Sequence, residues 1–460
     1  MELEKIKNII SKKSKEYNMS IQLLWDNFFF ERFLNRLSKS KYSNYFLFKG
    51  GFLLQSIVGI MNRTTLDIDL KILSNHINED ELIKIFNEVC DNNIDNISFN
   101  VLGINDIKAE TKYGGKTIKI EAKFYNIKKI FSIDVGAGDV VTPYPINYCY
   151  HSNIMDDDFN IMSYPLETIV AEKFETLISK GTNNSRSKDL FDLYLITKQS
   201  LNYLIVNSAM INTFNIRNTN YSYDFISKTL NDIFISETIK MLYENYANKK
   251  TFVKNVSFDD CKNAVYDIFN KLEFKDKINL SEYAIELHIV RHGQDERNKL
   301  GGWSDNHLIE EGINQINNLK DEIDDNYDLF ISSDLTRCKE TSNIINAKLN
   351  KDIIYDSNYR EVNNGDLKNL TLEEFNNKYS GLYFSSLDMD EKYPNGESPN
   401  DFYNRVSKAF IDLLENNIGK KLLLVTHGGV ITVLLCLIKG YKYSNYLKIV
   451  PNTGTITKLK

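Results

Sequence analysis

The stretch "KLEFKDKINLSEY" (residues 271–283) carries charge without apolar periodicity, and the chain is patterned differently on its two sides. From Pro165 up to it, apolar residues recur at helical spacing. Beyond it, β-prone runs alternate with helical ones: "IELHIV", then "DLFISS" with "DLTRCKETSNIINAKL", then "KLLLVTH" with "GGVITVLLCLIKG". A chain of 460 residues also exceeds what one hydrophobic core usually serves, about 250–300 residues. We therefore expect two α/β domains, residues 1–275 and 284–460. In the first, a helical start (Leu23, Leu24, Phe28, Phe29, Phe33) leads into the strands "YFLFKGG", "LDIDLKI" and "KTIKIEAKFYNIKKIFSIDVG". Helices then run from Pro165 to about residue 272, with Ser163 as the cap of the first and Gly181 as its stop. In the second, the alternation implies a parallel-rich sheet with helices on both faces.

Bulk properties narrow the classes. No apolar run reaches the roughly 18 residues that cross a bilayer, and the charged start "MELEKIKNIISKKSKEYN" lacks a signal-peptide core, so a cytoplasmic protein without membrane contact is expected. The five cysteines, Cys90, Cys149, Cys261, Cys338 and Cys436, are scattered without CxxC spacing, which argues against a disulfide framework and against a zinc site. The net charge of −6 falls on the second half, since about 35 basic and 35 acidic residues precede position 281. No strongly basic nucleic-acid face exists in bulk. A local patch of Lys116, Lys119, Lys123, Lys128 and Lys129 reads more readily as a solvated strand pair than as an RNA surface.

"RTTLDIDLKI" carries the first chemistry. Period-two spacing sends Asp67 and Asp69 to one face of a strand, and Asp134 ends another apolar strand in "FSIDVG". Carboxylates so placed can hold Mg²⁺, the cation of phosphoryl and nucleotidyl transfer. Upstream, "FKGG" puts Lys49, Gly50 and Gly51 at a strand-to-helix turn, where backbone N–H groups can cradle phosphate; Arg63 is a further phosphate contact. Downstream, "NSRSKDLFDLYLI" sets Asp189 and Asp192 three apart on one helix with Arg186 and Lys188 at its start. That cluster suits a triphosphate grip or helix-end salt bridges, the latter being favoured. In this order the motifs resemble the AbiEii-type toxins, nucleotidyltransferases of the DNA polymerase beta superfamily. The resemblance implies a mixed-sheet nucleotidyltransferase fold with a helical extension. It also implies metal ligation by Asp67, Asp69 and Asp134, nucleotide contacts by Gly50, Gly51, Lys173 and Lys188, and a functional role for Asp189. A nucleoside triphosphate as donor, tRNA or another RNA as acceptor, and a separately encoded antitoxin are its expected partners. One departure is Phe52, where the family usually has a Ser or Thr whose hydroxyl can hold phosphate.

"VRHGQDERN" carries the second. Arg291 and His292 follow an apolar strand, at the carboxyl end where open α/β sheets place ligands, and "LLLVTHGG" puts His427 at another strand end. A histidine beside arginines can attack phosphorus while the cations bind the peripheral oxygens. "SSDLTRCKET" adds Arg337. "NYREVNNGDL" adds Glu361, an acid for the leaving alcohol if burial raises its pKa, or else the partner of a surface salt bridge with Arg360. The series resembles the histidine phosphatase, or phosphoglycerate mutase, superfamily over about residues 285–458. The resemblance implies a three-layer α/β fold, His292 as nucleophile without a metal cofactor, phosphate binding by Arg291, Asn298, Arg337 and His427, and Glu361 as acid then base. The loop after "RHG" is shorter than usual and has His307 where a proline often sits. Taken together, the two sites predict a bifunctional, toxin-like enzyme. A metabolic enzyme acting on a small molecule, and a phosphatase with a non-catalytic nucleotide-binding module, are the alternatives.

Overall fold

The computed structural model describes residues 2–74, 78–92, 94–107 and 115–460. The chain separates after Leu272 into two compact units. In the first, helices α1 (Leu3–Tyr17) and α2 (Ile21–Ser38) precede a seven-stranded mixed sheet. Its strands are β1 (Phe46–Lys49), β2 (Asp67–Ile72), β3 (Ser98–Asp106), β4 (Gly115–Phe124), β5 (Ile127–Gly136), β6 (Ile146–His151) and β7 (Asp158–Ser163), in the spatial order β3-β4-β5-β2-β1-β7-β6. β5 pairs parallel with β2, and β1 parallel with β7; the other neighbours are antiparallel. Helix α3 (Gly50–Val58) follows β1 directly, and α4 (Glu79–Asp91) follows β2.

Helix α2 is buried over nearly its whole length, because its phenylalanines Phe28, Phe30 and Phe33 pack against the sheet aromatics Phe124 and Phe131. Its charged residues survive burial only because each has a partner. Arg36 donates to the Cys90 carbonyl (2.7 Å) and Asp95 (2.5 Å), and Arg32 makes two 2.7 Å bonds to Asp157. After β7 the unit is helical: α5 (Leu166–Lys180), α6 (Ser187–Ile196), α7 (Tyr203–Ile216), α8 (Tyr223–Phe234), α9 (Glu237–Lys249) and α10 (Phe258–Asn270). Gly181 terminates α5 as expected, but Ser163 does not cap it. Pro165 occupies the N-cap position, while Ser163 ends β7 and donates to the Tyr164 carbonyl.

The second unit is a five-stranded sheet in the order β10-β9-β11-β8-β12, built from β8 (Glu286–Arg291), β9 (Leu329–Ser332), β10 (Ile353–Tyr355), β11 (Lys421–Thr426) and β12 (Ile456–Leu459). All pairings are parallel except β12 on β8. Helices α11 (Glu310–Glu322) and α12 (Thr336–Leu349) share a core with Val290, Phe330, Leu423 and Val425. The alternate residues Leu422 and Leu424 are buried as well, so the sheet is covered on its other face, where α14 (Pro399–Glu415) and α15 (Gly428–Lys439) pack together; the short α13 (Leu372–Lys378) lies between α12 and α14 in sequence. Residues 276–283, left between the two expected domains, belong to this unit, as do residues 273–275, which were expected in the first. Lys275 N–H donates to the Gly440 carbonyl, Ile278 N–H to Leu437, and Leu280 is buried.

Candidate active sites

In the first unit the turn from β1 into α3 faces β2. Gly50 takes φ +70°, and a Cβ there would overlap the Asp69 carboxylate, so glycine is what lets the turn close over that acid. Gly51 N–H donates to Asp69 Oδ2 (3.2 Å). Parallel register sets Asp69 opposite Asp134, and the Thr117 hydroxyl donates to Asp134 (2.6 Å), as the Thr65 hydroxyl does to Asp67. Burial, then the charge of Asp67, pushes the Asp69 carboxyl above its ordinary range, with Lys49 opposing. The three aspartates stand on the neighbouring strands β2 and β5 without their donor atoms all lying within 4.8 Å of one another. The described groups whose donor atoms lie mutually within 4.8 Å are two other clusters.

A cavity of about 610 Å³ opens beside them, lined among others by Lys49, Gly50, Gly51, Asp69, Lys173 and Lys188. Its cations are largely engaged by acids that sequence reasoning underweighted. Lys173 Nζ lies 2.8 Å from Asp189 and 2.6 Å from Asp192, and the Arg63 guanidinium meets Asp192 at 3.1 Å. Arg63, expected to touch phosphate, does line the cavity beside Gly51, with its guanidinium also paired to Asp192. Burial works against that carboxylate, but Lys173 and Arg63 outweigh it and hold Asp192 below the usual range. The α6 acids are thus bridged to other elements; only Arg186 pairs with Asp189 along the helix.

Asp139, Glu172 and Arg217 form a second network that was not singled out. Asp139 accepts from Lys49 (2.9 Å) and Arg217 (3.0 Å), while burial raises Glu172 to about 7. Glu172 lies on the helix expected after Pro165, beside Lys173, but Asp139 and Arg217 lie outside any periodic element and gave no signal. Phe52 does not reach the cavity. It is fully buried against Phe30, Phe48 and Tyr150, so the departure it represents falls in the core. Three of the five lysines of that patch are in ion pairs: Lys116 with Glu79 and Asp106, Lys128 with Glu121, and Lys129 with Asp26.

In the second unit β8 and β11 run parallel, which brings His292 and His427, one step beyond their carboxyl ends, to a ring-centroid distance of 5.2 Å. Both are buried. His292 Nδ1 lies 2.8 Å from the Gly293 carbonyl; a carbonyl only accepts, so the proton sits on Nδ1 and the Nε2 lone pair is free. Burial, then the charges of Arg337 and Arg291, lowers this imidazole to about 3, and burial and Arg337 likewise push His427 well below 6.5. His427 Nε2 lies 2.8 Å from Ser333 Oγ. Arg337 is oriented by the Ser304 (3.1 Å) and Gly302 (2.8 Å) carbonyls, and Arg291 by the Pro451 carbonyl (2.7 Å). Arg291 Nε is buried with no hydrogen-bond partner among the described residues, a donor left over for a ligand.

Glu361 does not pair with Arg360, which instead grips Asp334 through two 2.5 Å bonds and lies over the Trp303 ring. The Glu361 carboxylate accepts N–H from Gly429 (3.0 Å) at the start of α15 and from Val362 (3.1 Å); a Cβ on Gly429 would displace it. Its backbone carbonyl is held by Trp303 Nε1 (2.7 Å) and Arg405 (3.2 Å). Trp303, Ser333 and Arg405 are positioning residues that were not predicted, although Ser333 stood in the "SSDL" motif. Asn298 is exposed on its loop, apart from these groups, and His307 is exposed and pairs with Glu340.

Comparison with known proteins fits this geometry. The family described as "Nucleotidyl transferase AbiEii toxin, Type IV TA system" matches residues 32–264, half of the chain. The chain belongs to the AbiEii family. Residues 287–460 of this AbiEii protein match the "Histidine phosphatase superfamily (branch 1)". Over 162 residues that part is 33% identical to "Phosphoglycerate mutase-like protein 4" of Arabidopsis thaliana, covering 33% of this chain and 70% of the relative. It is 30% identical to "Probable phosphoglycerate mutase GpmB" of Salmonella choleraesuis, covering 34% and 75%. Similar solved structures include the alpha-ribazole phosphatase from Shigella flexneri (21% identity, TM-score 0.34, covering 38% of this chain and 90% of that one). Another is a mycobacterial glucosyl-3-phosphoglycerate phosphatase (23%, 0.33, 38% and 89%). The AbiEii protein thus joins a nucleotidyltransferase domain to a histidine phosphatase domain.

Proposed function

We propose that the first domain transfers a nucleotidyl group from a nucleoside triphosphate to an RNA end such as that of tRNA, and that the second hydrolyses a phosphomonoester through a phosphohistidine. The reading places the protein in the cytoplasm, where both donor and acceptor are found, in a toxin-like defence role with an antitoxin as counterpart. The observation that carries it is the pairing of Asp69 with Asp134 beneath the Gly50–Gly51 turn, beside a cavity edged with lysines.

The acids fit a divalent cation: Asp69 is destabilised in its charged form by burial and by Asp67, a repulsion that a cation relieves. Mg²⁺ held by Asp67, Asp69 and Asp134 would supply charge neutralisation and activation of an acceptor hydroxyl. The chain's own groups do the remainder. Gly50 and Gly51 present the turn to phosphate, Lys188 at the start of α6 adds positive charge, and Lys173 and Asp189 fix the cavity wall.

In the second domain the neutral His292 Nε2 attacks phosphorus as the P–O bond to the leaving group breaks, and Glu361 gives that oxygen its proton. Water then attacks the phosphohistidine, Glu361 takes the water's proton, and phosphate leaves with His292 regenerated. Arg291, Arg337 and His427 meet the phosphoryl charge, so this reading asks for no cofactor. Asn298 would join them only by movement of its loop.

Incubation with each labelled nucleoside triphosphate and total RNA, comparing the parent with Asp69→Asn and His292→Ala, tests both halves. Label should enter RNA in the parent and in His292→Ala but not in Asp69→Asn. Label confined to small molecules would favour a metabolic acceptor, and label unaffected by Asp69→Asn would remove the assigned site.

A further inference from the structure

Two clusters outside the proposed sites bring three metal-ligand donors within 4.8 Å of one another. One of them, Glu286, His288 and Asp324, is already compensated: Lys421 Nζ lies 2.6 Å from Asp324 and 3.4 Å from Glu286, and Lys458 and Lys460 approach the same acids. A cation there would meet three ammonium groups.

The β6–β7 hairpin is different. Residues two apart share a strand face, so Cys149 and His151 project together from β6, and antiparallel register sets Asp158 opposite His151. All three are exposed. His151 Nδ1 lies 2.9 Å from an Asp158 oxygen, and among the described residues Asp158 is paired with no lysine or arginine. The turn joining the strands is pinned from beneath by α2. The Glu31 carboxylate accepts from the Ser152 hydroxyl (2.6 Å) and Asn153 N–H (2.7 Å), and Arg32 grips Asp157. Ser152 and Asp157 are the direct neighbours of His151 and Asp158, so two of the three ligands stand on a fixed backbone and little ordering remains to be done on binding.

We propose that Cys149, His151 and Asp158 form a Zn²⁺ site with its fourth coordination position open to solvent. Thiolate, imidazole and carboxylate are zinc's ligand types, whereas a hard cation such as Mg²⁺ prefers oxygen alone. Binding forms bonds from the metal to Sγ, to an imidazole nitrogen and to a carboxylate oxygen. It releases the thiol proton to the buffer and replaces the His151–Asp158 contact; no electron moves. The site ties the edge strand β6 to β7. Cysteine spacing could not reveal it, because two of its ligands are not cysteines and one comes from the neighbouring strand.

The test uses the reduced, metal-free full chain and follows alkylation of Cys149 by iodoacetamide as Zn²⁺ is added. The other four cysteines are buried, so the reaction reads Cys149. Micromolar Zn²⁺ should slow alkylation about tenfold or more, because a metal-bound thiolate is withdrawn as a nucleophile. The half-protecting concentration should rise about 100-fold in His151→Gln and in Asp158→Asn, since even loss of a ligand's own support costs about 10–100-fold. Mg²⁺ at the same concentration should not protect. Alkylation unchanged by Zn²⁺, equal protection in both variants, or protection by Mg²⁺ would each overturn the site.

Discussion

Residue by residue, the phosphatase site depends on close approaches that tolerate no added atom. In Gly429→Ala the new methyl would push the Glu361 carboxylate off the α15 amide. Proton donation is worth about 10²–10⁴-fold, so transfer of phosphate to His292 from an alkyl phosphomonoester should slow by at least about tenfold, while the first-turnover burst of p-nitrophenol from p-nitrophenyl phosphate, whose leaving group needs no proton, should be nearly spared. Measuring both substrates separates a displaced acid from a misfolded site. The lowered His292 carries a second expectation. Its folded value is about 3 against 6.5 for the unfolded chain, so the unfolded state binds more protons between those values. Stability of the second unit should therefore fall as pH drops below about 6.5, and less steeply in His292→Gln, as urea unfolding against pH would record. His292, Arg291, Arg337, Glu361 and His427 were legible because each stands in a short run at a strand or helix end. The partners that orient them were not, since Ser333 meets His427 across 94 residues of sequence.

Elements hold the first site through charges that bridge them. Asp192 of α6 is fully buried and joins Lys173 of α5 to Arg63 before β2. Asp192→Ala leaves both cations without that partner, and breaking a buried pair costs about 3–5 kcal/mol, so the unfolding midpoint of the first unit should drop sharply. Asp192→Asn, which keeps hydrogen-bonding capacity, should lose less. The α6 acids were visible in the sequence, but their neighbours were not. Spacing within a helix shows which residues share a face, whereas Arg63 and Asp192 are 129 residues apart. Strands β1, β2, β4, β5, β8, β9 and β11 and the helical run after Pro165 were readable from periods of two and near four, whereas β3, β6, β7, β10 and β12 were not singled out. Ser163 was misread as a cap because a serine before a helical run is ambiguous when the preceding strand extends through it.

At the scale of the molecule, each unit encloses its own core, and the charged stretch after Leu272 packs on the second. A fragment of residues 284–460 lacks the Lys275 and Ile278 hydrogen bonds and exposes what Leu280 covers. It should be less stable than residues 273–460 by about 2–3 kcal/mol, roughly one buried leucine and its bonds, in chemical unfolding monitored alongside phosphatase activity. The stretch looked like a boundary between domains because short segments that dock through backbone bonds leave no periodic trace.

The strand β12 gives the order of synthesis a meaning. Arg291 N–H donates to the Thr455 carbonyl, Gly454 N–H donates to the Arg291 and His292 carbonyls, and Pro451 accepts from the Arg291 guanidinium. The proposed nucleophile is therefore set by residues made after the other strands of its sheet, and long after the first unit has all of its chain. On the ribosome the nucleotidyltransferase domain can fold while the phosphatase domain still waits for β12, so a polypeptide interrupted before β12 would carry the first domain without a complete second.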